Sequence, residues 1–306
     1  KVSVMTEIIL NAVSFLLTIL LAFFLKKMGV LRQTDGERVS KIIISATLPA
    51  TIIVGINGFK ITSTVLVLMS LGLIFNVFLI FMGYLLGKNK STIERGFYMF
   101  NIGGYNLGNF AIPFVSGLFP QVIPFIAMFD IGNSFMVAGT TQAIVETASH
   151  QKKHGFDLRD PLRILLKSPP FIVYLFMFIL ALLKIKIPTV YLMPFSFVSK
   201  ANSFLSLFMI GLFMQITFKK DGLAVLGRVL AYRYLLATFL VGLVYFIFPF
   251  EHQIKLVLML ILYTPISFLT TIQATQFGVD EGQAGFASSL SMFISLTLMS
   301  AIVLLI

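Results

Sequence analysis

The stretch NLGNFAIPF, residues 106–114, lies inside a long apolar run, yet it holds two asparagines, a glycine and a proline. A helix that only crosses a bilayer has no use for that mixture. Proline removes an N–H and collides with the carbonyl one turn earlier. Gly103 and Gly104 precede the stretch, and with Gly108 they weaken the helix further. The residues therefore predict a span interrupted at membrane depth, and the fold follows from what such an interruption requires.

The composition supplies the bilayer. Of 306 residues, 58% are hydrophobic and only 11% charged, with a mean hydropathy of +0.98. Soluble domains carry about 25% charged residues, so the chain reads as a polytopic membrane protein. The absence of Cys excludes a disulfide framework, a thiolate metal site and a Cys nucleophile. His150, His154 and His252 sit in or beside polar stretches and read as loop residues rather than metal ligands. The net charge of +11 is expected to reflect Lys and Arg in cytoplasmic loops, not a nucleic-acid partner.

Apolar windows predict ten spans, near residues 5–25, 39–59, 62–86, 97–118, 121–147, 170–186, 197–218, 229–249, 253–277 and 283–306. The first lacks a small-residue cleavage site and is expected to stay in the membrane rather than act as a signal peptide. The longest loop, 148–169, is expected to carry a short amphipathic helix at the interface. Loops after odd-numbered spans gather 17 basic residues, ending with Lys219, Lys220, Arg228 and Arg233, against six on the other side. Both termini are thus expected outside the cell membrane.

Ten spans divide into a first five-helix repeat (1–147), a cytoplasmic linker (148–169) and a second, inverted repeat (170–306). Val39-Ser40-Lys41 matches Val198-Ser199-Lys200, and Phe59-Lys60 matches Phe218-Lys219 at the same offset. Pro113 in span 4 is expected to pair with Pro265 in span 9. Two interrupted spans at equivalent positions are a pointer to a transporter site, because irregular backbone at membrane depth must be buried in protein or line a cavity. The half-helices after the prolines would turn positive N-terminal ends toward an anion.

The expected substrate-binding residues are Asn101, Asn106, Gly108, Asn109 and Pro113 in span 4, and Thr264, Pro265, Thr270 and Gln273 in span 9, with Thr271 beside them. No Lys or Arg is expected near either break, so helix ends, amides and hydroxyls would hold the substrate. Asp130 lies within span 5 at a cost of at least about 2.5–3.5 kcal/mol. With Asn133 it is expected either to carry a coupling proton or cation, or to tie span 5 to span 4. Glu7 and Glu146 read as interfacial, and Lys41 and Lys200 as snorkelling. No HExxH, Ser/His pair or aspartate-rich diphosphate motif falls within a span, so no enzyme is expected. No cofactor is expected beyond a coupling H+ or Na+. A sensor that reuses a carrier fold is a rival reading, marked by a fused signalling domain.

Several stretches carry a family resemblance. GNFAIP (108–113) resembles the Gly-Asn…Pro motif of the auxin efflux carrier family, which includes the plant PIN-FORMED carriers and bacterial relatives. SATLPA (45–50), MFDIGN (128–133), LLKSPPFIV (165–173) and FGVDEGQAGFASSLSMFISL (277–296) resemble other motifs of its bacterial branch. The short stretch between spans 5 and 6 favours the same branch. Ser168 departs from the family's usual Asn, and YTPIS (263–267) is more polar than its usual small residues. The resemblance implies an all-α membrane fold like that of bile-acid symporters and NhaA, with broken helices 4 and 9 crossing. It implies a scaffold of spans 1, 2, 6 and 7 that forms a homodimer. Spans 3–5 and 8–10 would move as an elevator-like unit carrying a small organic acid. Asn109 and Pro113 carry over as crossover residues, with Pro265 as the partner break. A sodium-coupled symporter of related fold is the alternative.

Overall fold

The computed structural model describes residues 2–116, 118–149, 159–214 and 222–305. The expectations placed on His150, His154, Phe218, Lys219, Lys220 and the middle of the linker lie outside these residues, as does the side chain of Glu7. Among the described residues every regular element is a helix.

Helix α1 (Val2–Lys27) is followed by α2 (Gln33–Ile42), which runs through a π-helical turn (Ile43–Thr47) into α3 (Leu48–Ile56). Then comes α4 (Ser63–Gly87), and next α5 (Thr92–Ile102), where the chain leaves helical geometry. It resumes in a π-helical turn (Leu107–Ala111) and α6 (Ile112–Ser116). A 3-10 turn opens α7 (Ile123–Phe135), and a third π-helical turn (Met136–Thr140) joins it to α8 (Thr141–Ala148). After α9 (Arg159–Leu165) come α10 (Pro169–Leu182), α11 (Thr189–Phe213) and α12 (Leu223–Ile247). The last elements are α13 (His252–Leu262), α14 (Phe268–Phe277) and α15 (Glu281–Leu305).

Six segments are long and apolar enough to cross a membrane: Gln33–Ile56, Ser63–Gly87, Pro120–Ala148, Thr189–Phe213, Leu223–Ile247 and Glu281–Leu304. Leu107–Ser116, Pro169–Leu182 and His252–Leu262 are shorter apolar helices. The protein is a multi-pass α-helical membrane protein. Its intramembrane helices form because in lipid every backbone group must bond within its own segment.

Packing sorts the helices into two groups. In one, α11 packs along α1, α2 and α3, and α10 packs on α3. In the other, α4 packs on α5 and α7, α12 on α13 and α5, and α14 on α5, α8 and α15. Small residues set the closest approaches. A Cβ at Gly72 would stand 2.1 Å from the Phe129 carbonyl, and one at Gly132 would stand 2.1 Å from the Met69 carbonyl. The reciprocal pair lets α4 and α7 touch backbone to backbone, as small residues do where no water drives helices together.

The interruption in the fourth expected span is displaced from where the proline was expected to put it. The non-helical residues are Gly103 to Asn106, and Pro113 sits inside α6, buried. Helix α5 ends at Ile102 with Gly103, in extended conformation, as its C-cap, and Gly104 takes φ +74°, a conformation that costs glycine nothing. Pro113 is accommodated because the preceding π-helical turn has already loosened the ladder that its missing N–H would interrupt. The second break, Tyr263–Ser267, does contain its proline, Pro265.

Candidate functional site

The two breaks meet. The Asn106 N–H donates to the Pro265 carbonyl at 3.2 Å, and Gly104 leaves so little room that a Cβ there would lie 2.9 Å from Thr270 Cγ2. Two C-terminal helix ends, of α5 and α13, therefore face one another with carbonyls that have no partner inside their own helices. Two N-terminal ends leave the same place, with Asn106 and Ser267 at the N-cap positions of the π-helical turn and of α14 and neither side chain making a capping hydrogen bond.

Arg233 fills the space between the C-terminal ends. Its Nη1 donates to the carbonyls of Asn101 (2.8 Å), Ile102 (3.1 Å) and Gly103 (3.0 Å). Its Nη2 donates to those of Gly104 (2.8 Å), Thr264 (3.0 Å) and Pro265 (3.0 Å). The side chain comes from the middle of α12 and is 3% exposed. The ion pairs Arg38–Asp35, within α2, and Lys90–Glu94, from the turn before α5 to its first turn, do not involve Arg233. Among the described residues Arg233 thus has backbone carbonyls as its hydrogen-bond partners and no carboxylate beside it. This corrects two expectations: a basic residue does lie at the breaks, and Arg233 is no loop residue. The usable signal was that Arg233 falls inside the apolar window 229–249, where an ionisable residue marks function by default.

A second network holds the first break from the other side. Asn76 Oδ1 on α4 accepts the Gly104 N–H at 2.9 Å, and Asn133 Oδ1 on α7 accepts the Tyr105 N–H at 3.2 Å. Asn76 Nδ2 donates to Asn133 Oδ1, and Asn133 Nδ2 donates to both the Tyr105 carbonyl and Asp130 Oδ1. The chain ends at Asp130 Oδ2, which accepts from the Tyr174 hydroxyl of α10 at 2.9 Å. Asp130 is buried and has no Lys or Arg partner among the described residues. Asn76 and Tyr174 were not singled out in the sequence, because a single Asn or Tyr in an apolar helix has too many ordinary explanations.

The other expected residues divide by position. Thr264, Thr270 and Thr271 turn their hydroxyls back onto their own helix ends, at Ile261 and Ser267. Asn101 donates to Phe97 within α5, and Gln273 donates across to the Val137 carbonyl. Both keep one buried oxygen without a hydrogen-bond partner, as does Asn109. Gly108 packs under Leu48 of α3, facing the other helix group. Pro113 lies further out, where its carbonyl accepts from Ser203 of α11. On that facing helix, Asn202 Oδ1 accepts from Thr47, while Asn202 Nδ2 and Ser206 Oγ stay unpartnered. Buried polar atoms without partners are scarce in folded proteins. Here Asn101, Tyr105, Asn109 and Gln273 hold such atoms in the segments flanking the breaks and Asn202 and Ser206 on α11 opposite, while Arg95, Thr141 and Ser149 hold others further away.

A cavity of about 190 Å³ separates the two helix groups, lined by Glu37 of α2, Phe213 of α11, Phe268 and Thr271 of α14, and Glu281 and Ser288 of α15. It reaches the first turn of α14. Lys41 and Lys200 are exposed, and Glu146 accepts from Gln142 one turn away. No protein-family model matches the chain, and a search of the curated proteins finds no match.

Proposed function

We propose that this protein is a secondary transporter of a small organic anion, bound where the two breaks cross. The observation that carries the reading is Arg233. Two C-terminal and two N-terminal helix ends meet there, and their partial charges of about −0.5 and +0.5 roughly cancel. The guanidinium then leaves the crossing with a net positive charge and no carboxylate against it. A buried charge without a counter-charge is costly, and a carboxylate substrate would supply one. The unpartnered atoms of Asn101, Asn109 and Gln273 are amide oxygens, which accept and so suit a hydroxyl or protonated acid group of the substrate, while its carboxylate faces Arg233.

Ten membrane crossings in two inverted halves fit this reading. Helices α4 and α12 are both 25 residues long, and α5 and α13 both 11. Each pair is offset by the same 160 residues (223 − 63 and 252 − 92). The group around α11 would be the static scaffold, and α4–α8 with α12–α15 the moving unit of an elevator. Exposed Val190, Tyr191, Met193 and Phe197 on α11 suit lipid or a second copy in a homodimer. The chain's motifs support membership of the auxin efflux carrier family, and its basic loops support placement of both termini outside the cell membrane. Asp130 would couple a proton to movement, since its bond to Tyr174 joins the two helix groups.

The test is thermal stability of the purified protein against a panel of organic acids at two pH values, with and without sodium. A ligand at 100 times its Kd adds about 2.7 kcal/mol. Stabilisation by one acid, lost in Asn109→Ala, supports the reading, and no response to any acid removes the anion assignment. Glu37 and Glu281 in the cavity favour a second reading, a sodium-coupled organic-anion symporter. Stabilisation by sodium alone would select it.

A further inference from the structure

We propose that Arg233 is a built-in counter-cation: its guanidinium holds, permanently, the position at which a broken-helix transporter would otherwise take up a dissociable cation. In such transporters, unwound carbonyls and the C-terminal ends of half-helices coordinate the coupling ion. Here six carbonyl oxygens, four from the first break and two from the second, converge on one cation within 2.8–3.1 Å. That cation is tethered to α12, and a guanidinium does not lose its proton. Its planar fork spreads the charge over carbonyls on two different chains of backbone, which a compact ammonium does not do.

Two consequences follow. The crossing needs no sodium at this position, because the oxygens that would bind it already face a cation. And α5, α12 and α13 are stapled into one body, so the breaks travel together instead of parting during a transport cycle. Any ion released per cycle must then be carried elsewhere, and Asp130 is the buried ionisable group in the adjoining network. The inference rests on the crossing's geometry and not on which substrate is carried.

The experiment uses the full chain purified in detergent. Thermal unfolding of the wild type is followed in sodium chloride against choline chloride at equal ionic strength. It is followed again for Arg233→Ala and Arg233→Lys with and without low-millimolar guanidinium chloride, too dilute to denature. The wild-type midpoint is expected to be the same in both salts. Arg233→Ala is expected to lose stability and to regain most of it saturably with guanidinium, but not with choline. Arg233→Lys is expected to fold with a lowered midpoint that guanidinium does not raise, since its ammonium fills the place but reaches fewer carbonyls. If Arg233→Ala yields no folded protein, adding guanidinium during extraction should recover some.

Sodium-specific stabilisation that persists when Glu37 and Glu281 are both replaced by Gln would overturn the inference. So would an Arg233→Ala protein indifferent to guanidinium, or an Arg233→Lys protein as stable as the wild type. Failure of every organic acid to bind would sink the transport reading and leave these results intact.

Discussion

At the scale of single residues, the crossing is held by groups whose partners lie far away in sequence. Asn133 illustrates the energetics. Its amide serves the Tyr105 backbone twice and bonds both Asn76 and Asp130. Replacing one partner in a buried network leaves the others unsatisfied, at about 1–3 kcal/mol per group. Asn133→Ala is therefore expected to cost roughly 3 kcal/mol, read as a lowered thermal midpoint. A loss below about 0.5 kcal/mol, the range of ordinary surface changes, would mean that water replaces the amide freely. Asp130→Asn keeps the shape of this network but removes the titrating group. Transport by that variant is expected to lose its pH dependence, and a profile like that of the wild type would leave Asp130 a purely structural role.

At the scale of elements, the helices are placed by what they lack. Gly72 and Gly132 bring α4 and α7 into backbone contact, and Gly211 does the same for α11 against the Ile19 carbonyl of α1. Gly132→Ala forces a methyl group into a space already filled by backbone, which cannot rotate away as a side chain would. Overpacking of this kind costs about 1–3 kcal/mol. The expected result is a lowered midpoint in detergent, together with weaker function, because Asp130 and Asn133 ride on the same helix. Gly227 meets nothing within 4 Å, so Gly227→Ala should be neutral or slightly stabilising and serves as the control. Equal behaviour of the two variants would remove close approach as the reason for the glycine at 132.

At the scale of the whole molecule, the question is whether the two helix groups move past one another. Among the described residues, the polar contacts between them include Tyr174 to Asp130, and Ser203 to Ser116 and the Pro113 carbonyl. The Ser116 and Ser203 hydroxyls are 2.8 Å apart, and the chain has no Cys of its own. The double variant Ser116→Cys with Ser203→Cys can therefore be oxidised without side reactions. Cross-linking is expected to stop uptake into vesicles, and reduction is expected to restore it. Full transport by a fully cross-linked protein would rule out sliding at this boundary and with it the elevator.

The membrane class, the helical character and the presence of broken segments were all legible in the sequence, because each follows from local rules. Apolar length sets a span, and Gly, Pro and Asn in an apolar run mark where a helix stops. Candidates such as Asn109, Asp130 and Asn133 stood out because a polar group is conspicuous in an apolar run. What a local rule could not supply was the choice between the residues that marked the first break, Gly103 and Gly104 on one side and Pro113 on the other. Pro113 was tolerated inside α6 once a π-helical turn preceded it, and the glycines at 103 and 104 took the bend instead. Nor could any local rule give Arg233 its task. Its six partners lie between 31 and 132 residues away, and only the crossing of two helix ends brings their carbonyls to one point. The carbonyls that lack partners within their own helices at both breaks bind its guanidinium and offset part of the cost of a charge at that depth, leaving the net charge for a substrate to meet.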